Sequence, residues 1–364
     1  MKIAIYGYGS SGRKLSDIIS CGGGDGPLFI DRNAADLRRK HPSLSIYTLE
    51  EFIELNQGIE IDGILVSTES PEVSEDIFRE LWLKRVSFPV GYAPFSRFEE
   101  GFDKEHIVWL KNKIFLARLV VHLADSCNLR CKGCSHFANL FDKESMYETD
   151  ILLDDFFRIA SKVYAPCVYL LGGEPLLNPC IGDIVCNVRE IFPRSDIEIV
   201  TNGLLITELK ENLLTLLYRN RVRFSITQYP PTSKIRDEIE KILKEHEIRY
   251  HITDIVESFR ACFSRSERLS DGKVSQKRCG ADYCRFIRYG KLYKCPVSGM
   301  VYKYNNIFGR CFPDDEGIDI DAPNFKELAL KMCNPIELCK FCAEEPRMFA
   351  WKQSLHPTED EWCK

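Results

Sequence analysis

The sequence has no excess of basic charge: 49 lysine and arginine residues stand against 54 aspartate and glutamate, a formal net charge of -5. That balance gives no electrostatic case for nucleic acid as a partner. The chain also lacks any apolar run that reads as a membrane span. Its first residues, Met1-Lys-Ile-Ala-Ile-Tyr6, are too short for the apolar part of a secretory signal and lead straight into glycines. Without an export signal, the 16 cysteines, which cluster at ligand-like spacings, are read as those of a cytoplasmic protein and not as a disulfide framework. A chain of 364 residues is long enough for two or three domains, each with its own core.

What is present begins with Cys127-Asn-Leu-Arg-Cys131-Lys-Gly-Cys134, directly after the apolar run Leu119-Val-Val-His-Leu-Ala124. The run reads as a buried strand, which places three thiolates on a loop at the carboxyl end, where βα architectures carry their sites. Three cysteines in this spacing can hold three irons of a cubic cluster, and the loop offers no fourth cysteine. An iron without a protein ligand is free to bind a small molecule. The plainer alternative is three buried cysteines or part of a zinc knuckle. One βα unit later, Cys167-Val-Tyr-Leu-Leu171 reads as a second strand and runs into Gly172-Gly173-Glu174-Pro175. Glycines let a ligand approach the backbone closely, and a neighbouring carboxylate can receive an ammonium group.

Together the two motifs resemble the radical S-adenosylmethionine (SAM) superfamily. The resemblance implies a [4Fe-4S] cluster on Cys127, Cys131 and Cys134, with SAM chelating the open iron, and release of a 5'-deoxyadenosyl radical by one-electron cleavage. It also implies that Gly172, Gly173 and Glu174 hold the methionine amino group of SAM. One residue departs from the family: the position before the third cysteine is usually aromatic and here is Gly133. Short strand-like and helical segments alternate from 116 to 260, which implies a parallel sheet with right-handed crossovers. The resemblance makes this a partial (β/α)6 barrel. Asn202, at the end of the third strand, and Ser225, on the fourth, are candidates for contacting SAM, while Thr201 reads as satisfying backbone. His136 either caps the cysteine loop or approaches substrate.

Residues 1–95 read as a separate Rossmann-like parallel sheet. Lys2 to Tyr6 forms a strand, Gly7-Tyr-Gly9-Ser-Ser-Gly12 a turn, Arg13 to Ile19 a helix, and Pro27 to Ile30 a strand that ends on Asp31. The segment is similar to small domains attached to bacterial sugar-modifying and polysaccharide-building enzymes. That implies a nucleotide or nucleotide-sugar on Gly7, Gly9, Gly12 and Asp31; the alternative is a docking or dimerisation unit whose glycines only make a tight turn. Residues 96–115 read as a linker.

Residues 261–364 are rich in cysteine. Tyr289-Gly-Lys-Leu-Tyr-Lys294 reads as a hairpin with its glycine at the turn, and the run from Cys279 through Gly290 to Cys295 resembles the opening of SPASM and twitch extensions, which carry auxiliary iron-sulfur clusters. That resemblance implies one auxiliary [4Fe-4S] cluster on Cys279, Cys284, Cys295 and Cys342, with Cys339 as substitute. A partial second cluster on Cys333, Cys339 and Cys363, or a zinc site at Cys339-x2-Cys342, is the alternative. Cys21, Cys167, Cys180 and Cys186 read as buried small residues, and Cys262 and Cys311 as surplus thiols. The expectation is a radical SAM oxidoreductase or isomerase acting on a sugar or nucleotide-sugar, with reduced flavodoxin or ferredoxin as electron donor. Modification of a peptide side chain and a non-catalytic iron-sulfur scaffold are the other two readings.

Overall fold

The computed structural model describes residues 2–20, 26–55, 61–95, 104–264 and 269–363. Cys21 and residues 96–103 of the expected linker lie outside them. The chain divides into two compact units, Met1–Ala117 with Lys162–Pro166, and Arg118–Ser161 with Cys167–Lys364.

The first unit is a six-stranded sheet in the order β3-β2-β1-β4-β5-β6. Its strands are β1 (Ile3–Tyr6), β2 (Leu28–Ile30), β3 (Ile46–Tyr47), β4 (Gly63–Val66), β5 (Val90–Tyr92) and β6 (Val108–Trp109). β1 to β5 run parallel and β6 closes the edge antiparallel to β5. The central strands are apolar throughout, Ile3-Ala-Ile-Tyr6 and Gly63-Ile-Leu-Val66, and buried on both faces, as expected of parallel strands with helices on either side. The helix after β4 starts at Pro71, because Ser70 accepts the Val73 amide as its cap and proline suits the first turn. A small parallel pair, β7 (Ile114–Phe115) and β9 (Val163–Tyr164), belongs to the same unit.

The second unit is built on an eight-stranded sheet in the order β13-β12-β11-β10-β8-β15-β16-β17. Its strands are β8 (Arg118–Ala124), β10 (Cys167–Gly172), β11 (Asp196–Thr201), β12 (Arg223–Ile226), β13 (Arg249–Ile252), β15 (Cys284–Arg288), β16 (Lys291–Tyr293) and β17 (Ile318–Asp319). From β13 across to β15 all neighbours are parallel. The sixth parallel strand therefore comes from beyond residue 260 and joins on the far side of β8. β15 and β16 form the expected hairpin, with Tyr289 and Gly290 both at positive φ in the turn.

Side chains alternate across this sheet. Leu119, Val121, Leu123, Val168, Leu170, Ile197, Ile199, Phe224 and Ile226 make one face, all fully buried. The other face carries Val120 and Leu171, which pack with Phe286, Met300 and Val301 from the C-terminal part. It also carries a polar row in register, Tyr169, Glu198, Arg223 and Arg249. A separate antiparallel pair joins β14 (Ser258–Arg260) to β18 (Met348–Ala350).

Candidate active site

β8 ends at Ala124 and the chain turns into the cysteine loop, helped by positive φ at Arg130 and Gly133. The Leu129 amide points at Cys127 Sγ at 3.4 Å, and Trp351 Nε1 donates to Cys131 Sγ at 3.1 Å. Burial is the main force pushing the three thiols up: Cys127 to about 12, with the charges of Glu174 and Cys134 adding to it, and Cys131 well up, with Cys134 and Cys127 adding. Cys134 is raised by burial, offset by three backbone amides. Thiolates that burial and mutual repulsion both disfavour are stabilised by a shared cationic metal body, which suits an iron-sulfur cluster on these three residues. Among the described residues no three histidine, cysteine, aspartate or glutamate side chains close around a single metal ion.

The two glycines after β10 have a steric role. Gly172 sits at φ +153°, and a Cβ there would lie 2.0 Å from the Ala124 carbonyl oxygen; on Gly173 it would lie 2.1 Å from that of Ser126. The Gly173 and Glu174 amides donate to these same carbonyls at 2.7 and 2.9 Å. The glycines thus let the end of β10 lie against the base of the cysteine loop. That contact delivers Glu174, which is fully buried. Its Oε1 accepts from Thr201 Oγ1 at 2.7 Å and the Leu176 amide at 3.1 Å, and its Oε2 from the Asn202 amide at 3.0 Å. Burial nevertheless pushes its carboxyl up to about 7. Among the described residues no cation pairs with it, and a buried carboxylate held by three neutral donors fits an incoming ammonium group.

Asn202 bridges the two motifs. Its Nδ2 donates to Asn128 Oδ1 at 2.7 Å and lies 3.7 Å from Cys127 Sγ. Thr201, read as a backbone partner, binds the glutamate and also accepts the Gly203 amide at 2.9 Å. Ser225 is half-buried on the polar face, in register with Val200 and His251. Sequence reasoning missed Tyr229. Its hydroxyl is pushed up first by burial and then by the charges of Cys131, Cys134, Cys127 and Glu174, and its ring stacks on Trp351.

Behind the loop lies a buried ion pair. Arg288 donates to both carboxylate oxygens of Asp125, at 2.9 and 2.7 Å, and its cation lies over the rings of Tyr147 and Tyr289. His122 sits 3.4 Å from the same carboxylate and shares a 2.8 Å hydrogen bond with His136, so His136 is held by its neighbour. Replacing Asp125 with alanine would strand the arginine charge. We expect a loss of about 3–5 kcal/mol in denaturant unfolding, and a loss under 1 kcal/mol would show that the pair is not sealed from water.

In the C-terminal region, burial raises Cys295 to about 11, with the charges of Cys279 and Cys339 adding to it. Cys342 is raised first by burial, then by Cys295, Cys262, Cys339 and Cys279. These thiols form one group. Cys284 stands on β15 with its thiol bonded to Arg118 and is raised first by burial, the charge of Cys279 adding to it; Cys339 is likewise raised first by burial, with Cys279 adding. Cys363 is buried against the Tyr304 hydroxyl at 3.3 Å, and Cys311 is exposed. Cys167, Cys180 and Cys186 are half-buried.

In the first unit Gly7 has φ +101°, and a Cβ on Gly12 would fall 1.9 Å from the Gly7 carbonyl oxygen, so both glycines serve the turn; Gly9 has open space. The Asp31 carboxylate accepts the Tyr8 amide at 2.9 Å and the Asn33 amide at 2.8 Å. Glu69 accepts the hydroxyl of Ser10, the first residue of the following helix. Asp31 follows β2, where the dinucleotide fingerprint carries its acidic residue.

Comparison with known proteins agrees with the second unit. Residues 121–267, which take in both motifs, match the family model described as the Radical SAM superfamily. The chain is 31% identical over 137 residues to the GTP 3',8-cyclase of Syntrophomonas wolfei, covering 34% of this chain and 41% of that protein. It is 32% identical over 154 residues to the GTP 3',8-cyclase of Clostridium perfringens, covering 38% and 46%. The chain therefore spans less than half the length of these curated relatives. Among solved structures, BtrN in complex with AdoMet and 2-DOIA aligns with 65% of this chain and 99% of its own, at 16% identity and a TM-score of 0.41. Residues 121–267 of the chain therefore form a radical SAM domain.

Proposed function

We infer that the protein is a cytoplasmic radical SAM enzyme that removes a hydrogen atom from a sugar or nucleotide-sugar, in an oxidation, epimerisation or related tailoring step. The observation that carries this reading is the convergence of Cys127, Cys131 and Cys134 with Glu174, a buried carboxylate that no cation pairs with among the described residues, at the carboxyl ends of β8 and β10. A [4Fe-4S] cluster with SAM supplies, when bound, the electron that cleaves the sulfonium and the 5'-deoxyadenosyl radical that abstracts hydrogen. The protein's part is to hold and orient. The three cysteines would ligate three irons, Glu174 would receive the methionine ammonium, and Asn202 and Ser225 would contact the rest of SAM. A reduced flavodoxin or ferredoxin would donate the electron.

The substrate class is favoured by the Rossmann-like parallel sheet of the first unit, an arrangement shared with nucleotide-binding domains. The curated relatives, by name, act on a nucleotide. The test is isotopic: with reduced protein, SAM and nucleotide-sugars deuterated on the ring, deuterium should appear in 5'-deoxyadenosine. Transfer from a deuterated peptide and from none of the sugars would overturn the substrate class.

For the auxiliary cluster the thiol group points to Cys279, Cys295 and Cys342, with Cys339 in place of Cys284 as fourth ligand. Cys339→Ala should lower the iron content by up to about four per chain, while Cys284→Ala should leave it near the wild-type value. The reverse pattern in iron and sulfide analysis would restore Cys284 as the ligand.

A further inference from the structure

The C-terminal segment is folded along the cysteine loop. The Lys132 amide donates to the Lys352 carbonyl and the Ser354 amide to the Arg130 carbonyl, both at 2.8 Å, and Cys131 and Gln353 form an antiparallel bridge. Gln353 Nε2 donates to the Leu129 carbonyl at 3.0 Å, and Trp362 Nε1 to the Cys134 carbonyl at 2.7 Å. These contacts hold backbone to backbone or cap it. Trp351 differs, because its indole N–H points at the sulfur of Cys131 itself, at 3.1 Å. Its ring stacks on Tyr229, with centroids 5.9 Å apart and planes 27° from parallel. Tyr229 follows the carboxyl end of β12, the end of the sheet at which the cysteine loop and Glu174 also lie.

Gly133 shows why these rings come from elsewhere in the chain. It has φ +61°, and a Cβ there would lie 2.6 Å from the Glu361 carbonyl oxygen and 2.7 Å from the Phe349 ring. The tail occupies the room that a side chain at 133 would need.

We propose that the tail completes the cofactor site: Trp351, backed by Tyr229, forms the aromatic wall against which the adenine of SAM stacks, and its N–H steadies negative charge on the Cys131 sulfur. Both parts rest on the radical SAM reading of the site. A hydrogen bond to a ligand sulfur favours the more negative, reduced cluster and raises its potential. A purine on an aromatic face gains about 1–3 kcal/mol, roughly 5- to 150-fold in affinity.

Two variants of the full-length reconstituted protein separate the parts. Trp351→Phe keeps a ring and removes the donor, so the midpoint potential of the cluster, read by electron paramagnetic resonance during redox titration, should fall while SAM affinity stays within about threefold of wild type. Trp351→Leu keeps an apolar side chain and removes both ring and donor, so the SAM dissociation constant, measured anaerobically by equilibrium binding, should rise about tenfold or more. A wild-type midpoint in the phenylalanine variant, or wild-type SAM affinity in the leucine variant, would overturn the proposal. Wild-type protein that takes up no iron at the loop would instead overturn the radical SAM reading beneath it.

Discussion

Reconstituted with Cys131 replaced by alanine, the protein will hold about four irons fewer per chain than the wild type and will form no 5'-deoxyadenosine from SAM. Cys131 is buried, its sulfur carries the Trp351 hydrogen bond, and the loop supplies no cysteine to replace it. With two thiolates left, the cube would lose a second ligand besides the open iron. The auxiliary thiols should be untouched, so the remaining irons serve as an internal control for folding. Iron and sulfide analysis with chromatography of the nucleoside product checks both halves. A variant that keeps the full iron count would show that the cluster is held elsewhere.

Glu174→Gln carries the second large effect. Removing the charge should weaken SAM binding on the order of 100-fold, since a buried charge-assisted pair is lost. The wild-type protein adds a pH signature. Burial lifts this carboxyl from the ordinary 4.5 to about 7, so the folded chain holds the proton more tightly than the unfolded chain. The sign follows: the contribution to apo stability is fully kept below about pH 4.5 and falls by about 3 kcal/mol as pH rises through 7. Stability curves of wild type and variant should therefore diverge by that amount across the window, with the wild type losing ground as pH rises. SAM binding needs the ionised form, so affinity should weaken below about pH 7. Parallel stability curves, or binding flat from pH 5.5 to 8, would contradict this account of Glu174.

The parts that were legible in the sequence are those whose causes are local. The spacing of Cys127, Cys131 and Cys134 after an apolar strand, the glycines before Glu174 and the turn at Tyr289-Gly290 all express short-range geometry, and each falls where the pattern puts it. What escaped depends on residues far apart in the chain. Arg288 pairs with Asp125 across 163 positions, and Trp351 reaches Cys131 across 220. No periodicity marks either residue. The sixth parallel strand escaped for a related reason, because Cys284–Arg288 reads as half of a hairpin and its pairing with β8 is a property of the whole sheet. Spacing ranks Cys284 ahead of Cys339; strand direction carries Cys284 to Arg118, while Cys339, on a short helical turn at Glu337–Lys340, adds its charge to those felt by Cys295. In the first unit the glycine fingerprint is real as a turn, yet Asp31 spends its carboxylate on the turn's own amides.

The most direct test of the central claim is the product formed when SAM is added to the anaerobically reconstituted, dithionite-reduced wild-type protein. About eight irons per chain, with 5'-deoxyadenosine formed, is the result predicted here. Zinc in place of iron, or no 5'-deoxyadenosine from a fully loaded protein, would contradict it.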